Sequence, residues 1–206
     1  MALKHGVTLK FQKKAASAAF FVSAVLVVCG VLQACSSLPG GASGFAPRSS
    51  TLPQTVDKVD LERYQGRWYE IARLPNRFQD SCKSNVVATY SKAANGAVKV
   101  ENRCVNEAGE LKEAIGEARS VEANNSKLEV RFAPSWLAWL PLVWGDYWIL
   151  HLEPDYSLAL VGSPDRQFLW VLSRSPAIDK AKLNTLLGKA REQGFAAEKV
   201  VNTVQK

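Results

Sequence analysis

The chain has 206 residues, with 26 Lys and Arg against 19 Asp and Glu, four cysteines, two histidines and six tryptophans. This length suits one domain with a tail, and 47% hydrophobic with 22% charged residues is a globular composition. Two histidines exclude a three-histidine metal site, one long apolar stretch excludes a polytopic membrane protein, and a net charge of +7 suggests an acidic partner until the charges are placed.

They are placed unevenly. Residues 1–34 hold Lys4, Lys10, Lys13 and Lys14 with no acid, followed by an apolar run from Ala15 to Leu32 interrupted only by Ser17, Ser23 and Gly30. A basic start before an apolar helix is the form of an export signal, because the positive end stays cytoplasmic while the helix enters the translocon. The run ends Leu32-Gln33-Ala34-Cys35. This resembles the lipobox of bacterial lipoproteins, in which the cysteine is diacylglycerol-modified and becomes the new N-terminus. By that resemblance Cys35 is lipidated, although Gln33 departs from the small or aliphatic residue usual there. The alternative is an uncleaved signal anchor, since the run approaches the roughly 18–20 residues of a membrane span. Ser36 is not the aspartate of inner-membrane retention, so the resemblance implies the outer membrane, facing the periplasm. Several acyl chains on one terminus hold firmly where a single chain binds marginally.

From Ser36 to about Thr55 the chain is rich in Ser, Gly and Pro with little apolar pattern. Such a segment reads as a tether, a coil of about 25 Å end to end. The expected organisation is an export signal over residues 1–34, a lipidated N-terminus and tether over 35–56, and a folded domain over 57–206. Without residues 1–34 the basic residues fall to 22 against 19 acids, a net charge of about +3. Basic and acidic residues alternate through what remains, and nucleic-acid binding loses its support.

The domain reads mostly as strands: Arg67–Arg73, Ser84–Ser91, Ala97–Cys104, Leu111–Arg119, Lys127–Phe132, Tyr147–Glu153, Ser157–Gly162 and Phe168–Arg174. Asn95-Gly96, Ala108-Gly109, Asn124-Asn125, Pro154-Asp155 and Pro164-Asp165 punctuate them with turn chemistry. Eight short strands at regular spacing suggest a sandwich or an up-and-down barrel. One helix follows, with Asp179 as N-cap, an apolar stripe through Leu183, Leu186, Leu187 and Ala190, and Gly194 to end it. The extended segment Lys199–Val204 is expected to return to the sheet.

Gly66-Arg67-Trp68-Tyr69 heads the first strand after a short helical turn opened by Asp60. Gly145-Asp146-Tyr147 begins the sixth, and Leu172-Ser173-Arg174 ends the eighth, ahead of the helix. These regions, in this order, resemble the three signatures of the lipocalins, with Gly145 in place of the usual threonine. Trp68–Arg73 and Gly162–Arg174 are similar to the runs of bacterial outer-membrane lipoprotein lipocalins, and the likeness covers about residues 57–206. The resemblance implies an all-β fold, an eight-stranded antiparallel up-and-down barrel forming a calyx, with one C-terminal α-helix packed outside. It also implies a structural role for Gly66, Trp68, Tyr69, Asp146 and Arg174. A barrel of this size needs a bulky plug at its closed end, and Trp68 would be that plug, with Arg174 stacked on it and donating to backbone carbonyls.

Alternation along the strands turns Trp68, Glu70 and Ala72 to one face, which the resemblance makes the inward one. The same alternation groups Val86, Ala88 and Tyr90 on the second strand and Tyr147, Ile149 and His151 on the sixth as candidate cavity residues. Glu70 fits equally a ligand contact and a structural carboxylate bonded to a tyrosine or arginine near the closed end. His151 reads as an ordinary strand residue rather than a ligand or base. Between the fifth and sixth strands, Pro134–Trp144 is uncharged and holds Trp136, Trp139 and Trp144. In the lipocalin topology it lies at the open end, as a hydrophobic lid or local cluster, or as a segment dipping into the membrane interface.

With Cys29 in the export segment and Cys35 lipidated, Cys82 and Cys104 remain as an even pair in an oxidising compartment and read as a disulfide. A two-residue turn at Asn95-Gly96 would put Cys82 opposite residue 109. A four-residue loop Lys92–Asn95 would put it opposite Val105, beside Cys104, so the disulfide requires the longer loop.

The resemblance implies no cofactor, and a binding protein for a fatty acid, lysophospholipid or similar lipophilic ligand, serving envelope maintenance or stress. The alternatives are a lipocalin-fold enzyme and a structural envelope lipoprotein whose barrel is filled by its own side chains. Only one histidine remains after residue 34, and no nucleophile-elbow or metal spacing is present, which weighs against the enzyme.

Overall fold

The computed structural model describes residues 51–206 apart from Asn95. The expected export segment, Cys35 and the chain as far as Ser50 lie outside the described residues. Eight antiparallel strands form the barrel: β1 Gly66–Arg73, β2 Ser84–Lys92, β3 Val98–Val105, β4 Leu111–Ser120, β5 Lys127–Arg131, β6 Gly145–Leu152, β7 Leu158–Gly162 and β8 Leu169–Ser173. Each pairs with the next, and β1 pairs with both β2 and β8, which closes the sheet. Connections at 93–97, 121–126 and 153–157 gather at one end with the short helix α1 (Leu61–Tyr64). Those at 74–83, 106–110, 132–144 and 163–168 gather at the other.

Asp60 caps α1, its Oδ1 accepting from Glu62 N (2.9 Å) and Arg63 N (3.2 Å). Asp179, expected to cap the C-terminal helix α2 (Lys180–Glu192), makes no side-chain cap bond. Gly194, at φ +84°, ends that helix as its sequence suggests. Leu186 and Ala190 press α2 onto an outer apolar layer of Trp148, Leu150, Leu158, Leu160, Leu169 and Val171. Phe195 lies so close to β7 that a Cβ on Gly162 would fall 2.7 Å from its ring, so only glycine fits there. A second layer, inside the barrel, contains Tyr64, Trp68, Tyr90, Val100, Ala118, Ile149, Ala159, Val161 and Leu172.

Two bulges decide which side chains reach that interior. Glu70 opposes Leu172 but Ala72 opposes Val171, so Ile71 is an extra residue and Ala72 turns outward with Val171. Likewise Ile149 opposes Val161 while His151 opposes Leu160, so His151 turns to the outer face. Strict alternation had placed both residues in the cavity. Arg73, opposite Trp170, and Leu152, opposite Ala159, occupy the inner face instead.

Residues 51–56, expected to be the end of a tether, are bonded to the folded domain. Val56 N donates to Ile149 O (3.0 Å), Gln54 N to Gln193 Oε1 (2.7 Å), and Thr51 O accepts from Arg166 Nη2. Residues 51–56 are thus bound to β6, to the end of α2 and to the 163–168 loop through isolated bonds that leave no apolar period to read. At the other terminus, strand β9 (Val201–Asn202) pairs with Ala72 and Arg73, and Val204 bridges to Ser84, so the last residues reach both β1 and β2.

Cys82 and Cys104 form a disulfide, with Cα atoms 5.6 Å apart. The loop that permits it is neither of the two expected. Lys92 opposes Val98, so the connection is 93–97, and a bulge between Ser84 and Val87 shifts the register again. Ahead of Ser84, Lys83 N still donates to Val105 O (2.8 Å), and Cys82 N closes a turn onto Gln79 O (2.9 Å). That turn brings the thiol to β3.

Candidate functional site

The closed end is built on Trp68, which is 0% exposed and donates from Nε1 to Tyr64 O (2.8 Å). The Arg174 guanidinium lies 4.0 Å from the ring centroid. It donates to Arg67 O (2.8 Å), Arg63 O (2.9 Å) and Tyr156 O (3.3 Å). Gly66 adopts φ +91°, and a Cβ there would sit 3.3 Å from Arg174 Nη1. Tyr69 lies on the outer face among the residues that meet α2. Asp146 is exposed at the start of β6, and its carboxyl is raised by partial burial and by Glu129 opposite it.

Above the plug, Tyr147 bonds through its hydroxyl to both Tyr64 and Tyr90, each at 2.9 Å. Burial pushes all three phenols up, Tyr90 to about 12. They are neutral, and they bond to one another. Together with Ile149 these side chains fill the lower interior, so Tyr90, Tyr147 and Ile149 belong to the packed half of the barrel.

The mouth half differs. A row of partners shares the Trp68 face and leads to it: Ala88, still packed on the lower cluster, opposite Trp68, then Asn102 opposite Ala88, and Ala114, near the mouth end of β4, opposite Asn102. These are small or polar, and Ala114 is exposed and Ala88 and Asn102 only partly buried although they point inward. Gly116 is on the same face, and a Cβ there would meet the Arg131 carbonyl at 2.5 Å and the Phe132 ring at 2.7 Å. Val86 is buried beside the β2 bulge, its carbonyl accepting from Gln205 Nε2 (2.9 Å).

On the β1 side of the mouth, Glu70 is 3% exposed. Its carboxylate accepts from Arg73 Nη1 (2.8 Å), Gln79 Nε2 (2.5 Å) and Thr203 Oγ1. Gln79 in turn accepts from Trp170 Nε1 (2.8 Å) and Asn76 Nδ2 (3.0 Å). The carboxylate is thus bonded to an arginine, one of the two partners expected for a structural role, but within a polar cluster of the mouth half rather than near the closed end. Arg73, Gln79 and Thr203 carried no sequence signal: the first is turned inward only by the bulge, and the others arrive from a loop and the C-terminus.

The tryptophan-rich connection folds as two short 3-10 turns, Ser135–Leu137 and Pro141–Val143. Trp144 alone is anchored, between Arg119 (4.0 Å) and Arg131 (5.1 Å) on the outer wall, with Nε1 donating to Ala138 O. Trp136, Trp139 and Leu142 are 72%, 76% and 97% exposed. The expected lid or local cluster thus includes Trp144 but neither Trp136 nor Trp139. His151 bonds to Glu153 (3.1 Å) on the outside of the barrel.

An eight-stranded antiparallel calyx, plugged at one end and open at the other, with a helix on its flank, is the architecture of a lipocalin. The chain belongs to that family: the profile of the lipocalin-like domain matches residues 59–205. It is 37% identical to temperature-induced lipocalin-1 of Arabidopsis thaliana over 155 residues, covering 74% of this chain and 82% of the relative. It is 34% identical to outer membrane lipoprotein Blc of Escherichia coli (strain K12) over 162 residues, covering 78% and 85%. Apolipoprotein D of Mus musculus is 31% identical, covering 74% and 80%. Among solved structures, the major allergen Per a 4 from cockroaches superposes with a TM-score of 0.59 at 14% identity, covering 77% of this chain and 96% of that one, a likeness of fold.

Proposed function

We propose that this protein carries a fatty acid, lysophospholipid or similar small lipophilic ligand in the mouth half of its barrel. Lipidated at Cys35, it would be held at the outer membrane, facing the periplasm, and would serve envelope maintenance or stress. The observation that carries this reading is the contrast between the two halves. Aromatic side chains fill the lower interior, whereas inward-facing Asn102 and Ala114 keep access to solvent. Apolar walls with a few placed polar groups suit an acyl chain. The role is binding rather than catalysis, because the histidine beyond residue 34 faces outward to Glu153 and the inward phenols are neutral and mutually bonded. Native mass spectrometry of protein extracted from its own membranes tests this. One acyl ligand per chain is expected, and an empty barrel that also refuses added palmitate would overturn it.

The exposed Trp136, Trp139 and Leu142 favour a second contact, with the lipid surface itself. Tryptophan prefers the interface, the segment 133–144 carries no charge, and it borders the open end, so docking there would bring the mouth to the lipid.

A further inference from the structure

We infer that the Arg73 guanidinium is a head-group site for an oxyanion borne on an acyl chain, a carboxylate or a phosphate. This rests on the carrier reading above and assigns the chemistry of the ligand's polar end. The bulge at Ile71 turns Arg73 to the inner face at the mouth end of β1, opposite Trp170, where its side chain is 13% exposed. One nitrogen is committed: Nη1 donates to Glu70 Oε1 (2.8 Å) and Thr203 Oγ1 (3.3 Å). The other two are held weakly or not at all. Nη2 reaches the Gln79 carbonyl at 3.5 Å, the limit of a hydrogen bond, and the buried Nε has no partner among the described residues.

Nε and Nη2 form one edge of the guanidinium, the fork that a carboxylate or phosphate grips with two parallel N–H···O bonds. A buried N–H without an acceptor is costly, so an oxygen arriving there relieves what the empty state suffers. Asn76, joined to the same network through Gln79, also has a buried Oδ1 without a partner, an acceptor suited to a glycerol hydroxyl beside the anion. Because Glu70 already neutralises the cation, recognition depends on two aligned donors rather than on net charge. Lysine, a point charge, would not supply them.

Tryptophan-fluorescence titration of the full chain in amphipol with palmitate, palmitoyl-lysophosphatidylcholine and monopalmitoylglycerol tests the site, with circular dichroism to verify the fold. The uncharged glyceride is expected to bind about tenfold more weakly than the oxyanion lipids. That gap is expected to close in both R73Q and R73K while glyceride affinity is unchanged. Preference for palmitate assigns a carboxylate site, and preference for the lysophospholipid a phosphate site. Equal affinity of all three lipids for the wild type, or discrimination kept in folded R73K, overturns the inference and leaves the carrier reading standing. Failure of every lipid to bind the wild type overturns both.

Discussion

The Arg174 guanidinium lies 4.0 Å over the Trp68 ring and ties the end of β8 to the start of β1 through the Arg67 carbonyl. A cation–π contact of about 0.5–2 kcal/mol and backbone bonds of about 1 kcal/mol each converge on that side chain. Arg174→Ala is expected to destabilise the barrel by about 2–3 kcal/mol in urea unfolding, and Trp68→Ala by about 3–5 kcal/mol. Ligand affinity at the mouth should change little in the folded arginine variant. A loss below about 0.5 kcal/mol for Arg174→Ala would remove the contact from the account.

The three linked phenols make stability depend on pH at the alkaline end. Tyr90 ionises near 12 in the fold and near 10 in the unfolded chain, so the unfolded state releases its proton first. Stability is expected to be level below about pH 10 and to fall as pH rises towards about 12. Tyr147→Phe removes the hydroxyl shared by Tyr64 and Tyr90 and should cost about 1–3 kcal/mol at neutral pH. Ultraviolet titration of the phenols, with urea unfolding at several pH values, checks both; phenols ionising near 10 would contradict the network.

The Cys82–Cys104 disulfide joins the β1–β2 loop to β3 at a sequence separation of 22. Its removal is expected to cost roughly 3 kcal/mol, equally by reduction or in the Cys82→Ser, Cys104→Ser double variant. Two free thiols in non-reducing mass spectrometry of protein taken from its native compartment would refute the pairing.

The exposed indoles of Trp136 and Trp139 should bind lipid directly. In a form lacking residues 1–35, replacing both by serine is expected to weaken vesicle flotation severalfold without altering the unfolding transition. Unchanged flotation would count against membrane docking by this segment.

The strands and the barrel class were legible in the sequence because alternation and turn residues act over a few neighbours. Every strand boundary lies within about two residues of its expected place. The interior was less legible, since facing depends on bulges that leave no local mark. Ile71 and Leu150 look like ordinary strand residues, yet each turns the residues after it to the other side, so Ala72 and His151 leave the interior and Arg73 and Leu152 enter it. The partners of Glu70 were hidden for another reason. Gln79 and Thr203 come from loop and terminus, and only the closed fold brings them to one carboxylate.

The central claim is that ligand occupies the mouth half of the barrel, and Ala114 is the residue through which to test it. It points inward yet is exposed, so a larger side chain there would fill the space without displacing packed neighbours. Titration of Ala114→Trp with palmitate is the most direct measurement. The account predicts a loss of affinity of about tenfold or more with the unfolding transition unchanged. Wild-type affinity in the folded variant would contradict it.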